Sequence, residues 1–357
     1  MRIIVTAGGT GGHIYPALSI IEKFKKEEKN LEVLYIGTHN RMEKDIVPNR
    51  GIKYEALEIY GLTKNIKKDI EDIILIRKSY KKCLKIMKDF KPDVVIGFGG
   101  YVTFPVIKAA HKLKIKTFIH EQNSIPGKSN KILARYADIV GVTFEKTKEY
   151  YKNKDNVIFT GHPRSDEAKL AKSVSLESLG LDPKKKLVLV VLGSLGSTSL
   201  NSKIIDYANK VNNKNYQLLY ITGKRVYDRV DQKSLPSNVK ILPFYDNLIG
   251  LLKNTDVVIS RAGSGSLNEI IALKIPSIII PSPNVANNHQ YYNAKDIYEK
   301  KACIMLEENN LTGDILSENV DKLLNDSNYR NDMIKNLEKF DVNNSTDKIY
   351  KAIKEII

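Results

Sequence analysis

The sequence predicts an α/β protein of two domains, each built on a parallel β-sheet with helices on both faces. Short apolar segments typical of buried strands alternate with helical patterns along the chain. Several of these segments end in glycine-rich loops, which suit a turn from strand to helix. The length of 357 residues also exceeds what a single hydrophobic core usually holds.

The first strand, residues 2–6, leads into the glycine loop TAGGTGGH at 6–13, which opens an amphipathic helix. Such a loop lets a ligand approach the backbone, and the helix N-terminus attracts negative charge. The spacing is not G-x-G-x-x-G, and the second strand ends in Gly37-Thr38 rather than near an acidic residue, which argues against a nicotinamide or flavin site. A neutral His13 could accept a proton from a ligand. Helix capping or packing remains the alternative role for His13.

Five more strand segments follow in the first half, at 32–36, 93–97, 116–119, 139–142 and 157–159. A second glycine loop, GFGGY at 97–101, ends one of them, and His120-Glu121-Gln122-Asn123 ends the next. Ligands of open α/β sheets bind beyond the carboxyl ends of the strands. We therefore expect these loops to lie at one functional edge of the sheet.

Between the second and third strands lies a basic amphipathic helix. Residues 64–91 contain ten basic and four acidic side chains. The helical spacing predicts a buried stripe of Ile73, Ile76, Tyr80, Cys83, Leu84 and Met87, with Ile70, Ile74 and Leu75 extending the apolar surface. A helix of this kind can bind a membrane surface, and the alternative is a helix with a solvated basic face.

The second half repeats the architecture, with strands predicted at 187–192, 217–222, 239–244, 257–260 and 277–281. A third glycine loop at 193–197 and a small-residue turn at 260–266 follow two of them, and such turns suit a diphosphate. We predict domains at 1–160 and 161–341, with a C-terminal helix at about 342–357 packing back on the first domain.

Composition narrows the function classes. The net charge is +16, and residues 1–160, with 30 basic and 18 acidic side chains, carry most of it. This points to an anionic partner, nucleic acid or phospholipid, although a biased composition would give the same charge. Two cysteines cannot build a disulfide framework or a zinc site. No signal-peptide pattern or membrane span is evident, so we expect a soluble, cytoplasmic protein.

Four motifs resemble those of a known family: GGTGGH at 8–13, GFGGYV at 97–102, HEQN at 120–123 with Pro126-Gly127 and Asn130, and HQYYNA at 289–294. Over residues 2 to about 300 the chain resembles the MurG family of GT-B glycosyltransferases. The resemblance implies the GT-B fold, two Rossmann-like domains with parallel sheets facing a central cleft. It also implies transfer of GlcNAc from UDP-GlcNAc to lipid I, forming lipid II in peptidoglycan synthesis.

The resemblance also implies site residues. The UDP-GlcNAc site would comprise Thr10, Gly11, Gly12, Asn123, Arg164, Ser194, Tyr245, Gly263, Ser264, Gly265, Glu269, His289 and Gln290. Gly99, Gly100 and Tyr101 would lie on the acceptor side. Within the donor site, the diphosphate would be held by Arg164, Ser194 and the 263–266 turn. The backbone near Phe244 and Tyr245 would hold uracil, Glu269 the ribose, and His289 and Gln290 the transferred sugar. The third glycine loop departs from the family's usual sequence at Leu192, Leu195 and Ser197, and His162 stands where Asn is usual.

The expected reaction is a single inverting displacement that needs a general base near the acceptor hydroxyl. We assign this role to His13, with Glu121 or His120 as the other catalytic candidates. Helix N-termini and Arg164 would stabilise the leaving group. No Asp-x-Asp metal signature occurs in the strand-end loops, so we expect neither metal nor cofactor.

The expected partners are UDP-GlcNAc, lipid I and an anionic membrane surface at the cytoplasmic face, with other cell-wall enzymes as possible further partners. Three other readings remain open. A UDP-GlcNAc 2-epimerase leaves the basic helix unexplained, and a glycolipid synthase explains it equally well. A nucleic-acid binder explains the charge but not the glycine loops, so we expect no nucleic-acid partner.

Overall fold

The computed structural model describes residues 1–61, 66–193 and 196–357, with the backbone alone for 66–71. The chain forms two compact units. One comprises Met1–Asp166 together with Val342–Ile357, and the other comprises Glu167–Asp341. Each unit has its own parallel sheet and its own core.

The first unit contains a seven-stranded sheet in the order β3-β2-β1-β4-β5-β6-β7. Its strands are β1 (Arg2–Thr6), β2 (Glu32–Thr38), β3 (Lys53–Leu57), β4 (Val94–Gly97), β5 (Lys116–Glu121), β6 (Ile139–Val142) and β7 (Val157–Phe159). Its helices are α1 (Gly11–Glu27), α2 (Glu43–Ile46), α3 (Ile66–Phe90), α4 (Thr103–Lys112) and α5 (Lys128–Leu133). Helix α6 (Pro163–Leu170) carries the chain into the second unit.

The second unit contains a six-stranded sheet in the order β10-β9-β8-β11-β12-β13. Its strands are β8 (Lys186–Val191), β9 (Tyr216–Ile221), β10 (Val239–Leu242), β11 (Val257–Ser260), β12 (Ser277–Ile279) and β13 (Ile304–Met305). Its helices are α7 (Thr198–Lys210), α8 (Lys224–Tyr227), α9 (Leu248–Leu252), α10 (Ser264–Leu273), α11 (His289–Tyr298), α12 (Gly313–Asn325) and α13 (Ser327–Glu338).

All strand pairs in both sheets are parallel, which confirms the predicted α/β class with two Rossmann-like domains. The central strands form because continuous apolar runs such as 187–191 can be buried on both faces. The sequence pattern does not predict β3 and β13. Strand β3 lies at an edge and is mostly half-exposed, so it lacks an apolar run, and β13 has only two residues.

The last helix, α14 (Ser345–Ile356), packs on α1 within the first unit. The ring of Tyr350 meets Phe24 edge-on, with 4.9 Å between the ring centroids. The Lys354 ammonium lies 2.8 Å from a carboxylate oxygen of Glu28, which also accepts a hydrogen bond from the Tyr350 hydroxyl. The C-terminal segment is thereby attached to the N-terminal unit by apolar and charged contacts together.

Helix α3 buries a narrower face than its apolar pattern suggests. Cys83 and Met87 lie in the core, as the helical spacing predicts. The prediction for Ile73 is wrong, because that side chain is 44% exposed, and Asp72 and Ser79 are buried instead. Ile74 is 48% exposed. In the described parts of the chain, no helix is long and apolar enough to cross a membrane.

Candidate functional site

The first two glycine loops meet where the strand order of the first sheet reverses. Strands β1 and β4 are neighbours, with Val5 opposite Ile96, so the loops that follow them are adjacent. The N–H of Gly8 donates to the carbonyl of Gly99 at 3.3 Å. Gly100 has φ of +83°, and a Cβ there would lie 2.5 Å from the carbonyl oxygen of Gly8. Ligands bind at such switch points in open α/β sheets.

His13 lies in the first turn of α1, against both loops. Its Nδ1 lies 3.0 Å from the carbonyl oxygen of Gly8. Because a carbonyl only accepts, Nδ1 carries the proton in the neutral ring, and Nε2 is the basic nitrogen. A Cβ on Gly99 would lie 3.2 Å from Nε2, which is closer than most Cβ contacts, and the φ of +105° at Gly99 also favours glycine. The loops therefore orient His13 as a proton acceptor.

Glu43 in α2 is hydrogen-bonded to the first glycine loop, and no motif in the sequence points to it. The carboxylate is fully buried. Its Oε2 accepts from the N–H of Gly9 at 3.3 Å, and its Oε1 accepts from the N–H and the hydroxyl of Thr38 at 3.1 and 2.6 Å. A lone glutamate after a strand carries no local signal, since its partners come from two separate loops.

His120 is fully buried at the end of β5. Burial lowers its pKa to about 4, opposed by a hydrogen bond to the backbone of Gly161. Nε2 lies 3.1 Å from the carbonyl oxygen of Gly161, and the Gln122 amide lies 3.3 Å from Nδ1. Both ring nitrogens thus have protein partners. Nearby His162 is also buried, and burial followed by the charges of His120 and Arg164 lowers its pKa well below the usual value.

The Glu121 carboxylate is buried and accepts hydrogen bonds from residues of the loop that follows it. Oε1 accepts from the backbone and side-chain N–H groups of Asn123, at 3.0 and 3.2 Å. Oε2 accepts from the N–H of Gly127 and the amide of Asn130, each at 2.9 Å. Four donors shape the 121–130 loop around this carboxylate, which presents Asn123 at the sheet edge.

The other predicted residues of the first unit lie nearby. Thr10 and Gly12 are exposed, and Gly11 and Tyr101 are half-buried. The Tyr101 hydroxyl accepts from Nε of Arg41 at 3.3 Å. The Arg164 guanidinium lies over the ring of Tyr15, one turn into α1, with 5.3 Å to the centroid.

The corresponding switch point of the second sheet lies between β8 and β11. Ser194 and Leu195 lie outside the described residues, so the proposed diphosphate role of Ser194 has no structural description. Gly196 packs directly on the carbonyl oxygen of Thr222. Arg261, which the resemblance does not assign, connects this loop to its neighbours. Its guanidinium donates to the Ser197 hydroxyl at 2.8 Å and lies 2.7 Å from Oε2 of Glu308.

Helix α10 begins with an open N-terminus. A Cβ on Gly263 or Gly265 would meet no atom within 4 Å, so neither glycine is required by packing. The first backbone N–H groups of this ten-residue helix suit an anion. Glu269 lies in the second turn and is 5% exposed.

Three further predicted residues lie at the carboxyl ends of β10 and β12. His289 opens α11, with Nδ1 2.8 Å from the carbonyl oxygen of Ala286, so its Nε2 is the acceptor of the neutral ring. The side-chain oxygen of Gln290 accepts from the N–H of Ser282 at 2.9 Å, which directs the amide nitrogen away from that loop. Tyr245 follows β10 and packs partly on the core of the second unit.

The structure therefore brings together two sets of predicted residues, one in each unit. The carboxyl edge of the first sheet carries His13, Gly99, Gly100, Tyr101, His120, Glu121 and Asn123. The loops and helices that follow the strands of the second sheet carry Gly263, Ser264, Gly265, Glu269, His289 and Gln290. Among the described residues, no group of three His, Cys, Asp or Glu side chains is arranged to hold a metal ion.

Comparison with known proteins assigns both units. Residues 3–142 match the glycosyltransferase family 28 N-terminal domain, and residues 187–355 match the glycosyltransferase family 28 C-terminal domain. A relative from Bacillus pumilus, named UDP-N-acetylglucosamine--N-acetylmuramyl-(pentapeptide) pyrophosphoryl-undecaprenol N-acetylglucosamine transferase, is 42% identical over all of this chain and 99% of its own.

Two solved structures illustrate the fold. MurG from Acinetobacter baumannii superposes with a TM-score of 0.79 at 26% identity, covering 99% of each chain. UDP-GlcNAc 2-epimerase from Neisseria meningitidis, solved with UDP-GlcNAc bound, superposes with a TM-score of 0.69 at 16% identity, covering 99% of this chain and 100% of its own. The second likeness concerns the fold alone.

Proposed function

The chain belongs to glycosyltransferase family 28, and from this membership we propose that it transfers GlcNAc from UDP-GlcNAc to the C4 hydroxyl of the MurNAc of lipid I, forming lipid II. The named activity of a relative that is 42% identical over the whole chain supports this substrate pair. The 2-epimerase reading rests on a likeness of fold at 16% identity and is weaker.

The orientation of His13 is the observation that carries the mechanism. With Nδ1 held by the Gly8 carbonyl, Nε2 can accept the proton of the attacking hydroxyl. The hydroxyl oxygen forms a bond to the anomeric carbon, the bond from that carbon to the diphosphate breaks, and UDP leaves with the electron pair. One displacement inverts the configuration, so an α-linked donor gives a β-linked product.

The other candidates have supporting roles in this proposal. His120 is buried with both ring nitrogens engaged, and the Glu121 carboxylate already accepts four hydrogen bonds, so we assign both to shaping the loop that carries Asn123. On the donor side, the open N-terminus of α10 would receive the diphosphate, and Glu269 would accept from the ribose hydroxyls.

Replacing His13 tests the base. His13→Ala should bind UDP-GlcNAc as the wild type does, and its turnover should fall by about 10²–10⁴-fold. Calorimetry measures donor binding, and transfer to a lipid I analogue measures turnover. A fall in turnover of less than tenfold, with KM unchanged, would show that His13 has a structural role and is not the base.

We also propose that the first unit docks on the anionic cytoplasmic leaflet through α3. Ile73 and Ile74 are exposed beside Arg77, Lys78 and Lys81, an arrangement of apolar and basic side chains that suits a membrane interface. Lys82 is less available, because its ammonium lies 3.1 Å from a Glu55 oxygen and donates to the Ala56 carbonyl.

Vesicle sedimentation tests this docking. Each basic residue near an anionic surface contributes about 1 kcal/mol, so reversing Arg77, Lys78 and Lys81 to Glu should abolish salt-sensitive binding. UDP-GlcNAc binding should stay intact. Reversal of Lys184, Lys185 and Lys300, which are exposed in the second unit, is the matched control. Equal vesicle binding by wild type and the α3 variant would refute the docking surface.

A further inference from the structure

The peptide unit between Gly8 and Gly9 is hydrogen-bonded on both sides. Its carbonyl oxygen lies 3.0 Å from Nδ1 of His13, and its N–H donates to Oε2 of Glu43 at 3.3 Å. Both groups belong to one planar, resonance-stabilised amide. A single peptide therefore connects a buried carboxylate to the imidazole.

We propose that Glu43 is a positioning residue that acts on His13 through the Gly8–Gly9 peptide. A carboxylate that accepts the N–H polarises the amide and makes its carbonyl oxygen a stronger acceptor, since hydrogen bonds in a chain reinforce one another. The stronger acceptor holds the Nδ1–H tautomer and stabilises the imidazolium that forms when Nε2 takes a proton. In a catalytic triad, a carboxylate that is hydrogen-bonded directly to the histidine also fixes the tautomer and stabilises the imidazolium. The inference rests on the proposed role of His13.

The surroundings of Glu43 leave it little freedom. Oε1 is fixed by two hydrogen bonds from Thr38, at 3.1 Å from the N–H and 2.6 Å from the hydroxyl. A Cβ on Gly8 would lie 2.6 Å from Oε1, so the loop rests directly on the carboxylate. Because the side chain is fully buried, it cannot touch a substrate, and water does not screen its charge.

Titratable groups also lie on the elements around the loop. Burial, and after it the charge of Glu43, raises the pKa of Tyr35 in β2 and of Tyr54 in β3. Tyr15 of α1 lies under the Arg164 guanidinium, Tyr101 of the β4 loop accepts from Arg41, and His120 of β5 is buried, with its pKa lowered to about 4 by burial. Glu43 differs from them because it is hydrogen-bonded to the peptide that holds His13.

Nitrogen NMR of histidine-labelled wild-type protein tests the geometry without any variant at residue 43. At a pH where His13 is neutral, its resonances, assigned by comparison with His13→Ala, should show Nδ1 protonated and Nε2 unprotonated. A dominant Nε2–H tautomer would overturn the inference even if variants at residue 43 fail to fold.

The variant Glu43→Gln keeps the shape and removes the charge. We expect kcat to fall about 10- to 100-fold, the loss seen when hydrogen-bond partners of metal-binding histidines are replaced, with KM for UDP-GlcNAc unchanged. Without the negative charge the imidazolium is less stable, so the midpoint of the acidic limb of the pH–rate profile should move to lower pH. Glu43→Asp should restore part of the rate.

Tyr54→Phe is the matched control, because it removes a 2.6 Å hydrogen bond to the Thr38 carbonyl in the same pocket and leaves the Glu43–peptide contact in place. It should keep the wild-type profile. A wild-type rate and pH profile in Glu43→Gln, with His13→Ala inactive, would overturn the role of Glu43 alone. Wild-type rates in both variants would instead reject His13 as the base.

Discussion

A methyl group added to Gly100 in the first unit would lie 2.5 Å from the carbonyl oxygen of Gly8, whereas one added to Gly263 or Gly265 in the second would meet no atom within 4 Å. The glycines that face each other at the first switch point are needed so that two loops can pack and hold His13. Those at the start of α10 leave space in front of a helix N-terminus. Similar glycine-rich turns thus allow close packing of two loops in one unit and leave open space before a helix N-terminus in the other.

The largest expected effect follows from Gly100→Ala. The substitution combines positive φ with overpacking, and together these should destabilise the first unit by roughly 2–5 kcal/mol. Chemical denaturation followed by circular dichroism measures the loss. Wild-type stability would show that the loops do not depend on this close approach.

Substitutions at the proposed donor site of the second unit should lower the affinity for UDP-GlcNAc rather than the free energy of unfolding. Glu269→Ala should weaken UDP-GlcNAc binding by roughly 2–4 kcal/mol, because the proposed hydrogen bonds from the ribose hydroxyls to the carboxylate would be lost. Titration calorimetry measures the affinity, and vesicle binding through α3 should be unchanged. Donor affinity equal to that of the wild type would place the ribose elsewhere.

Gly265→Ala sharpens the contrast with Gly100→Ala. In a helix, Ala is favoured over Gly by about 0.5–1 kcal/mol, and no neighbour obstructs the methyl group, so stability should stay the same or rise slightly. Donor affinity should fall about tenfold if the methyl group occupies space meant for the diphosphate, a loss of about 1.4 kcal/mol. An unchanged donor affinity would argue that the space in front of α10 is not the diphosphate site.

Low pH should destabilise the first unit more than the second. Burial lowers the pKa of His120 to about 4 and that of His162 well below its usual value. Both groups bind protons more readily when unfolded, so their stabilising contribution is fully present above about pH 6.5 and is lost as pH falls below it. For His120 this loss continues toward pH 4. Each contributes a slope of up to about 1.4 kcal/mol per pH unit. Denaturation of His162→Asn at several pH values should show that the free energy of unfolding depends less steeply on pH, by about one proton, than in the wild type. An unchanged pH dependence would contradict the burial argument.

The sequence predicts the strands of the sheets better than it predicts the side-chain contacts of the loops that follow them. Apolar runs such as 187–191 identify buried strands locally, and the loops that follow are recognisable by their glycines. The contact of Glu43 with the first loop is not predictable in this way, because its partners are distant in sequence. The four hydrogen bonds to Glu121 are hidden for the same reason, and the exposure of Ile73 depends on which face of α3 the sheet covers.

The central claim is transfer of GlcNAc from UDP-GlcNAc to lipid I, and product analysis tests it most directly. Wild-type protein incubated with UDP-GlcNAc and a lipid I analogue should form one disaccharide product and one equivalent of UDP. Proton NMR should show a β-configured linkage to C4 of the muramyl sugar, and UDP should not accumulate without the acceptor. Epimerisation of the donor sugar, or UDP release independent of lipid I, would contradict the account.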